Sequence, residues 1–416
     1  MIRKAAHTMT KTLRRRDVLL GASLGVAAAA LGSTAASASA GALALSPTSG
    51  PVGTAITVTG TNFPKKAKGS VTLGSASAAV TTSASGYFQT TITVPGALSG
   101  TAYATATIGS SSAQAPFAVT AVATVPGPNL NHPLRFGVAT PSGYGSAAEL
   151  DQVATIAGEG PSIIHAYCDW TTSVPTSGLA YVASRGATPL LTWEPWNASV
   201  GGTAQPAYAL SAIYGGTYDS YIGQWANGLK AYGGPVLLRL AHEMNGNWYP
   251  WSEQVNGNAP GDYVKAFQHV RGLFASAGVT NVQWVWCPNV PYTGSTDLAG
   301  LYPGDGYVDL VGLDGYNWGT TQSWGSTWVM PDALFGQGLS ELAAIAPTTR
   351  VLIAETASAE QGGDKATWNQ ALIQYLSANP SIMGFAWFDL NKEVDWRIDS
   401  SSSSASAFAA ALAARP

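Results

Sequence analysis

Eight short apolar runs, most of them separated by stretches of helical spacing, constrain the fold of this chain more than any other feature. They are "LRFGVAT" from Leu134, "SIIHAYCDW" from Ser162, "TPLLTWEPW" from Thr188, "PVLLRLAHEMN" from Pro235, "VQWVWCPN" from Val282, "VDLVGLDGYNW" from Val308, "RVLIAETAS" from Arg350 and "IMGFAWFDLN" from Ile382. Helical patterns occupy 147–158, 218–232, 261–277, 331–346, 364–378 and 403–414. Near-continuous apolar strands alternating with helices imply a parallel sheet covered by helices on its faces. Eight such units predict an α/β fold, a (β/α)₈ barrel over residues 134–416. A doubly wound open sheet would carry a Gly-rich phosphate loop after its first strand, and "GVATPSGYG" fits that pattern poorly.

The N-terminal part reads differently. Residues 1–40 combine a basic start, a short apolar stretch and an Ala-x-Ala end at Ala38–Ala40, the plan of an export signal. Arg14, Arg15 and Arg16 before "DVLLG" resemble a twin-arginine signal, so the mature protein is expected outside the cell. The apolar stretch is diluted by Ala, Gly and Ser and falls short of the ~20 apolar residues of a membrane span. Residues 41–120 hold short alternating runs such as "AITVTG" and "GYFQTTITVP" between Gly and Pro turns, the pattern of a small antiparallel sandwich. The segment "LSPTSGPVGTAITVTGTNFP", residues 45–64, resembles the start of immunoglobulin-like IPT/TIG domains. "AVATVPGPNLNHP", residues 121–133, reads as a linker.

Charge sets the class of partner. Only 10% of residues are charged, against ~25% in ordinary domains, and the net charge is -3. Neither nucleic acid nor an anionic membrane is implied. The chain is expected to be a monomer. Two cysteines, Cys168 and Cys287, make no disulfide framework and are read as separate thiols.

The ends of the runs carry the chemistry. Asp169 and Trp170 close the second run, Trp193, Glu194 and Trp196 the third, and His242, Glu243 and Asn245 the fourth. Trp286 and Asn289 close the fifth, Asp314, Tyr316 and Trp318 the sixth, Glu355 the seventh, and Trp387 and Asp389 the eighth. In a barrel these ends meet on one rim, where active sites are built. Glu243 and Glu355 end the fourth and seventh runs, so they face each other across that rim. Paired carboxyl groups are the requirement of glycoside hydrolysis, and aromatic faces suit sugar rings. No His/Asp cluster has metal spacing and no G-x-S-x-G is present, so neither a metal nor any other cofactor is expected. Glu194 is expected to bind a sugar hydroxyl or an arginine, Asp314 to support the site, and His165 to face either core or cleft. Asp169 and Trp170 are subsite candidates.

"RLAHEMNGNWYPW", residues 239–251, resembles the acid/base signature of glycoside hydrolase family 26, and "LIAETAS" its nucleophile strand. The resemblance implies a retaining endo-β-glycanase, with Glu243 as general acid/base and Glu355 as nucleophile. It implies that Arg239 and His242 hold the acid/base strand and the subsite of the cleaved sugar, and that Trp248 contacts substrate. Tyr316 would bond the nucleophile and Trp387 would line the floor. Trp248 is also expected to supply the apolar surroundings that keep Glu243 protonated. By resemblance the substrate is β-1,4-mannan first. The third run ends in "LLTWEPWN" where mannanases carry histidine, which raises β-1,3-1,4-glucan, with β-1,3-xylan a further possibility. A non-catalytic carbohydrate-binding barrel is the opposing class.

Overall fold

The computed structural model describes residues 41–121 and 125–416, so the export-signal reading of residues 1–40 lies outside the described residues. The described residues form two units, each with its own core.

The first unit is all-β. Its strands are β1 (Ala42–Ser46), β2 (Ser49–Gly50), β3 (Ala55–Thr61), β4 (Lys68–Leu73), β5 (Ala76–Thr81), β6 (Phe88–Thr93), β7 (Gly100–Ile108) and β8 (Ser111–Val119). They make a three-stranded sheet, β1-β3-β6, and a five-stranded sheet, β2-β8-β7-β4-β5. Period-two alternation puts Ile56 and Val58 of β3, Val71 and Leu73 of β4, and Ala104, Ala106 and Ile108 of β7 into one core. Gly60 is required there: a Cβ at this position would come within 2.0 Å of the Phe88 ring.

The second unit is a closed parallel barrel, ordered β10-β11-β12-β13-β14-β15-β16-β9. The strands are β9 (Arg135–Ala139), β10 (Ile163–Asp169), β11 (Thr188–Glu194), β12 (Val236–Leu240), β13 (Val282–Trp286), β14 (Leu310–Asn317), β15 (Val351–Ser358) and β16 (Ile382–Phe388), all eight where the apolar runs predict them. The helices are α1 (Ala147–Ala157), α2 (Thr176–Ser184), α3 (Leu210–Tyr214), α4 (Asp219–Tyr232), α5 (Asp262–Ser276), α6 (Leu298–Leu301), α7 (Pro331–Ile345), α8 (Lys365–Ser377) and α9 (Ser402–Ala414). Three of these, α2, α3 and α6, are absent from the sequence reading. They are short and bury two residues each, too few for a 3.6-residue pattern to emerge. Residues 125–133, linker-like in composition, attach to the barrel through a bridge between Pro128 and Gly160.

Barrel strands are apolar on both faces, and the faces do different things. Ile163, Leu190, Leu237, Val285, Leu310 and Leu352 fill the barrel interior. Phe136, Leu191, Leu238, Trp284, Ile353 and Phe385 face the helix layer. Toward the C-terminal ends the interior-facing residues turn polar, beginning with His165, Thr192, Arg239 and Asp314, all fully buried. That switch is the floor of the site.

Candidate active site

Arg239 is the hub. β12 aims it into the barrel, where its guanidinium is fully buried. It donates from Nε to Thr192 Oγ1 at 2.7 Å, from Nη1 to Asp314 Oδ2 at 2.5 Å, and from Nη2 to Glu355 Oε1. Nη2 also lies 3.2 Å from His165 Nε2. A buried cation requires such partners, since it has lost its water. Burial, reinforced by Arg239, pushes His165 down to about 3 and His242 well below its ordinary value, so both rings are neutral near pH 7.

Beyond Leu240 the chain turns sharply. Ala241 and Glu243 adopt left-handed backbone, with φ of 48° and 53°, which costs a non-glycine residue ~1–2 kcal/mol. The turn is held from both sides. Ala241 N–H donates to Trp193 O at 3.1 Å and Glu243 N–H to Cys287 O at 2.8 Å. The result is a buried Glu243 carboxyl at the rim. Its Oε2 accepts from Trp248 Nε1 at 2.8 Å and its Oε1 from Asn289 Nδ2 at 2.8 Å. Burial pushes this carboxyl up to about 7, helped by the charge of Glu355, while the Asn289 and Trp248 bonds pull it down. The Trp248 hydrogen bond thus pulls against the burial effect expected of that residue. Its indole N–H favours the ionised form, and burial and Glu355 keep the proton on.

Glu355 sits where the β15 ladder is irregular: register shifts fall between Gly312 and Asp314 against β14 and between Ile353 and Thr356 against β16. Such bulges re-aim a side chain. Tyr316 donates to Oε2 at 2.5 Å and Tyr167 to Oε1 at 2.7 Å, alongside Arg239. Burial alone would raise Glu355, but Arg239 overrides it and, with Tyr316, holds the carboxyl well below the usual range. The two carboxyls are therefore driven in opposite directions, the mark of an acid and a nucleophile. Asp314 is pushed up by burial against the pull of Arg239, with the charge of Glu355 adding to the rise. His242, Asp314 and Glu355 offer atoms within 4.8 Å of one another, the spacing of a metal-ligand set. Arg239 donates to both acids and supplies the positive charge there.

Several residues expected on the rim are elsewhere. Trp193 turns outward and stacks on Trp225 at 4.7 Å, and Trp170 packs on Trp193 at 5.0 Å and on Tyr218. Trp286 faces Tyr302 and, with Trp284, belongs to the layer between barrel and helices. Trp387, expected on the floor, packs against Trp368 and Phe408 and donates to Trp396 O at 2.9 Å. Trp170, Trp193, Trp286 and Trp387 are core: alternation puts Trp193 opposite Thr192 and Glu194, Trp286 opposite Cys287 and Trp387 opposite Phe388, and Trp170, just past β10, packs onto Trp193. Asn245 is fully buried and exchanges hydrogen bonds of 2.9 Å with the Asn289 backbone, so it positions Asn289 and does not meet solvent. Asp169 accepts from Thr171 and from Ala198 N–H, tying two loops together.

Glu194 does reach the site. Its side-chain partner is Trp196 Nε1, 3.4 Å away on Oε2, and burial pushes it up to about 7. No hydrogen bond to Arg239 forms. Trp196 stands edge-on to Tyr249 and Trp251. Trp318 is half-buried between Trp396 and Trp324, and Trp324 is 51% exposed. Three residues escaped the sequence reading: Tyr167 in these contacts, Phe388 edge-on to Tyr316 at 5.7 Å, and Trp396 packed on Tyr316 at 5.1 Å. For Tyr167 a signal existed, since it lies two residues from both His165 and Asp169 on the same strand face. Cys168 and Cys287 are both free thiols.

Fold and site together define a (β/α)₈ barrel with an acid-poised and an ionised carboxyl on its β12 and β15 rim. The barrel is a family 26 glycosyl hydrolase domain, its family model matching residues 177–378, and the sandwich is an IPT/TIG domain, matched over residues 43–120. Endoglucanase H of Acetivibrio thermocellus is 38% identical over 279 residues, 65% of this chain and 29% of that protein. A mannan endo-1,4-beta-mannosidase of Bacillus subtilis is 32% identical over 114 residues, 26% of this chain and 31% of that protein. The chain thus spans under a third of the length of these relatives. The catalytic domain of a Bacillus family 26 endo-beta-1,4-mannanase superposes with a TM-score of 0.53 at 18% identity, covering 67% of this chain and 85% of that one. At that identity the likeness speaks for the fold.

Proposed function

We propose that this protein is a secreted, monomeric, retaining endo-β-glycanase. The observation that carries the reading is the opposed pair: Glu243 pushed up to about 7 and Glu355 held ionised by Arg239. Glu355 attacks the anomeric carbon while Glu243 gives its proton to the leaving oxygen. Water then attacks the same carbon, Glu243 takes the water's proton, and the carbon–Glu355 bond breaks with its electron pair returning to the carboxylate. No cofactor enters these steps.

For the substrate, two observations favour a β-1,4-linked glucan with β-1,3 links. A similarity over 279 residues is to a protein named an endoglucanase, and β11 ends in Glu194, with Trp196 just beyond it, rather than in histidine. β-1,4-Mannan is the second reading, supported by the relatives named mannosidases. The test is an anomer-resolved NMR time course on barley-type β-glucan, glucomannan and galactomannan. Retention with Glu243 and Glu355 intact, and loss of turnover in a folded Glu355→Ala protein, is the expected result. Inverted product rejects the nucleophile assignment, and no release from any polymer rejects the glycanase reading.

A further inference from the structure

The nucleophile's two oxygens are not equivalent. Oε1 receives Arg239 Nη2 and the Tyr167 hydroxyl at 2.7 Å, with His242 Nε2 4.0 Å away. Oε2 receives Tyr316 alone. An oxygen that attacks carbon must give up a lone pair and shed its donors, and Oε2 has the fewer to shed. Oε1 then becomes the carbonyl oxygen of the glycosyl ester and keeps its donors throughout.

We infer that Tyr167 is a positioning residue that selects Oε2 as the attacking atom and stabilises Glu355 as the leaving group of the second step. This rests on the glycanase reading above. Tyr167 is placed for the task. It projects inward from β10, its ring lies 4.4 Å from His165, and Phe388 stands edge-on to it at 6.5 Å. Tyr167 is 37% exposed while Arg239 is fully buried, and both donate to Glu355 Oε1. The residue lies outside the 177–378 segment matched by the family model.

The sign of its effect follows from charge. As the ester forms, Oε1 changes from half of a carboxylate to a carbonyl oxygen, a weaker acceptor, and the Tyr167 bond weakens. As the ester breaks, charge returns to Oε1 and the bond strengthens. Tyr167 therefore favours free enzyme over glycosyl-enzyme and accelerates the second step. A hydrogen bond to a charged group sets the scale at roughly tenfold or more.

The test is Tyr167→Phe in the full chain, which keeps the ring and its packing. With a dinitrophenyl β-cellobioside, whose good leaving group makes the first step fast, kcat falls at least about tenfold, KM falls with it, and intact mass spectrometry finds the cellobiosyl adduct accumulating. Near-ultraviolet circular dichroism checks that the variant is folded. A folded variant with unchanged constants overturns the inference. So does one whose kcat/KM drops with no adduct, which would place Tyr167 in the first step. If the wild-type protein releases nothing from either this glycoside or the polymers, the glycanase reading falls first; an active wild type beside an unaltered variant removes this inference alone.

Discussion

Trp248→Phe separates two opposite accounts of how Glu243 keeps its proton. If Trp248 acts as an apolar screen, its loss lowers the carboxyl's pKa. The structure says the reverse, because Trp248 Nε1 donates to Glu243 Oε2 at 2.8 Å. Phenylalanine keeps an apolar ring beside Tyr292, whose centroid is 5.7 Å from that of Trp248, and removes the donor. A hydrogen bond to a charged acceptor is worth ~1.5–3 kcal/mol. The protonated carboxyl keeps part of that bond, so the difference between the two forms is about half, or roughly one pKa unit. Glu243 starts at about 7, and the variant should move to ~8.

The assay is kcat/KM against pH on an unactivated polymer, where proton donation to the leaving oxygen limits the rate. The alkaline limb reports loss of the proton from Glu243 in the free enzyme. Its midpoint should rise by about one unit while the acid limb, set by Glu355, stays in place. Activity at the optimum should fall, because Trp248 also orients the carboxyl. A midpoint that moves down refutes the reasoning and restores the apolar-screen account. A midpoint that does not move shows that Glu243 is not the group titrating there.

Other outcomes follow from the same geometry. Glu243 rises from 4.5 to about 7 on folding, so the fold keeps a proton that the unfolded chain loses, and stability falls as pH climbs through that window by up to ~3 kcal/mol. Glu243→Gln removes this loss: its melting temperature should match wild type near pH 4 and exceed it by several degrees near pH 8, and equal differences at both would contradict the shift. Arg239→Met strands two buried acids, so a cost of about 3–5 kcal/mol by urea unfolding is expected, and a neutral result would show the hub to be dispensable. Trp387→Phe should leave KM unchanged and cost about 1 kcal/mol, since the Trp396 carbonyl loses one of two donors and keeps Lys365 Nζ at 3.3 Å; a raised KM would return Trp387 to the cleft.

How much of this was legible in the sequence depends on which physical signal each feature leaves. The eight strands were readable because parallel strands between a packed interior and a helix layer are apolar on both faces, and they interrupt helical spacing. Glu243 and Glu355 were readable for a related reason: a carboxyl ending an apolar run has no bland explanation. The same two-faced apolarity hid the direction of the aromatics. A tryptophan such as Trp193 or Trp387 suits the helix layer as well as a sugar, and hydropathy does not distinguish them. Alternation could have done so. Thr192 and Glu194 on β11 face the site, which turns Trp193 away, and on β10 His165 and Tyr167 share a face that excludes Trp170. That argument needs one anchored inward residue per strand, and Arg239 provides it on β12 only once the barrel is closed. It fails at Glu355, where the ladder irregularity breaks the period and the inward turn is set by register against β14 and β16. The sign of the Trp248 effect was hidden more deeply. An indole is both an apolar face and an N–H donor, and which one meets the carboxyl is decided by the left-handed turn at Ala241 and Glu243. No residue type announces that turn, since both positions would ordinarily be read as strand or helix. The acid's identity was therefore written in its chain position, while its proton affinity is a property of backbone geometry that composition and spacing do not encode.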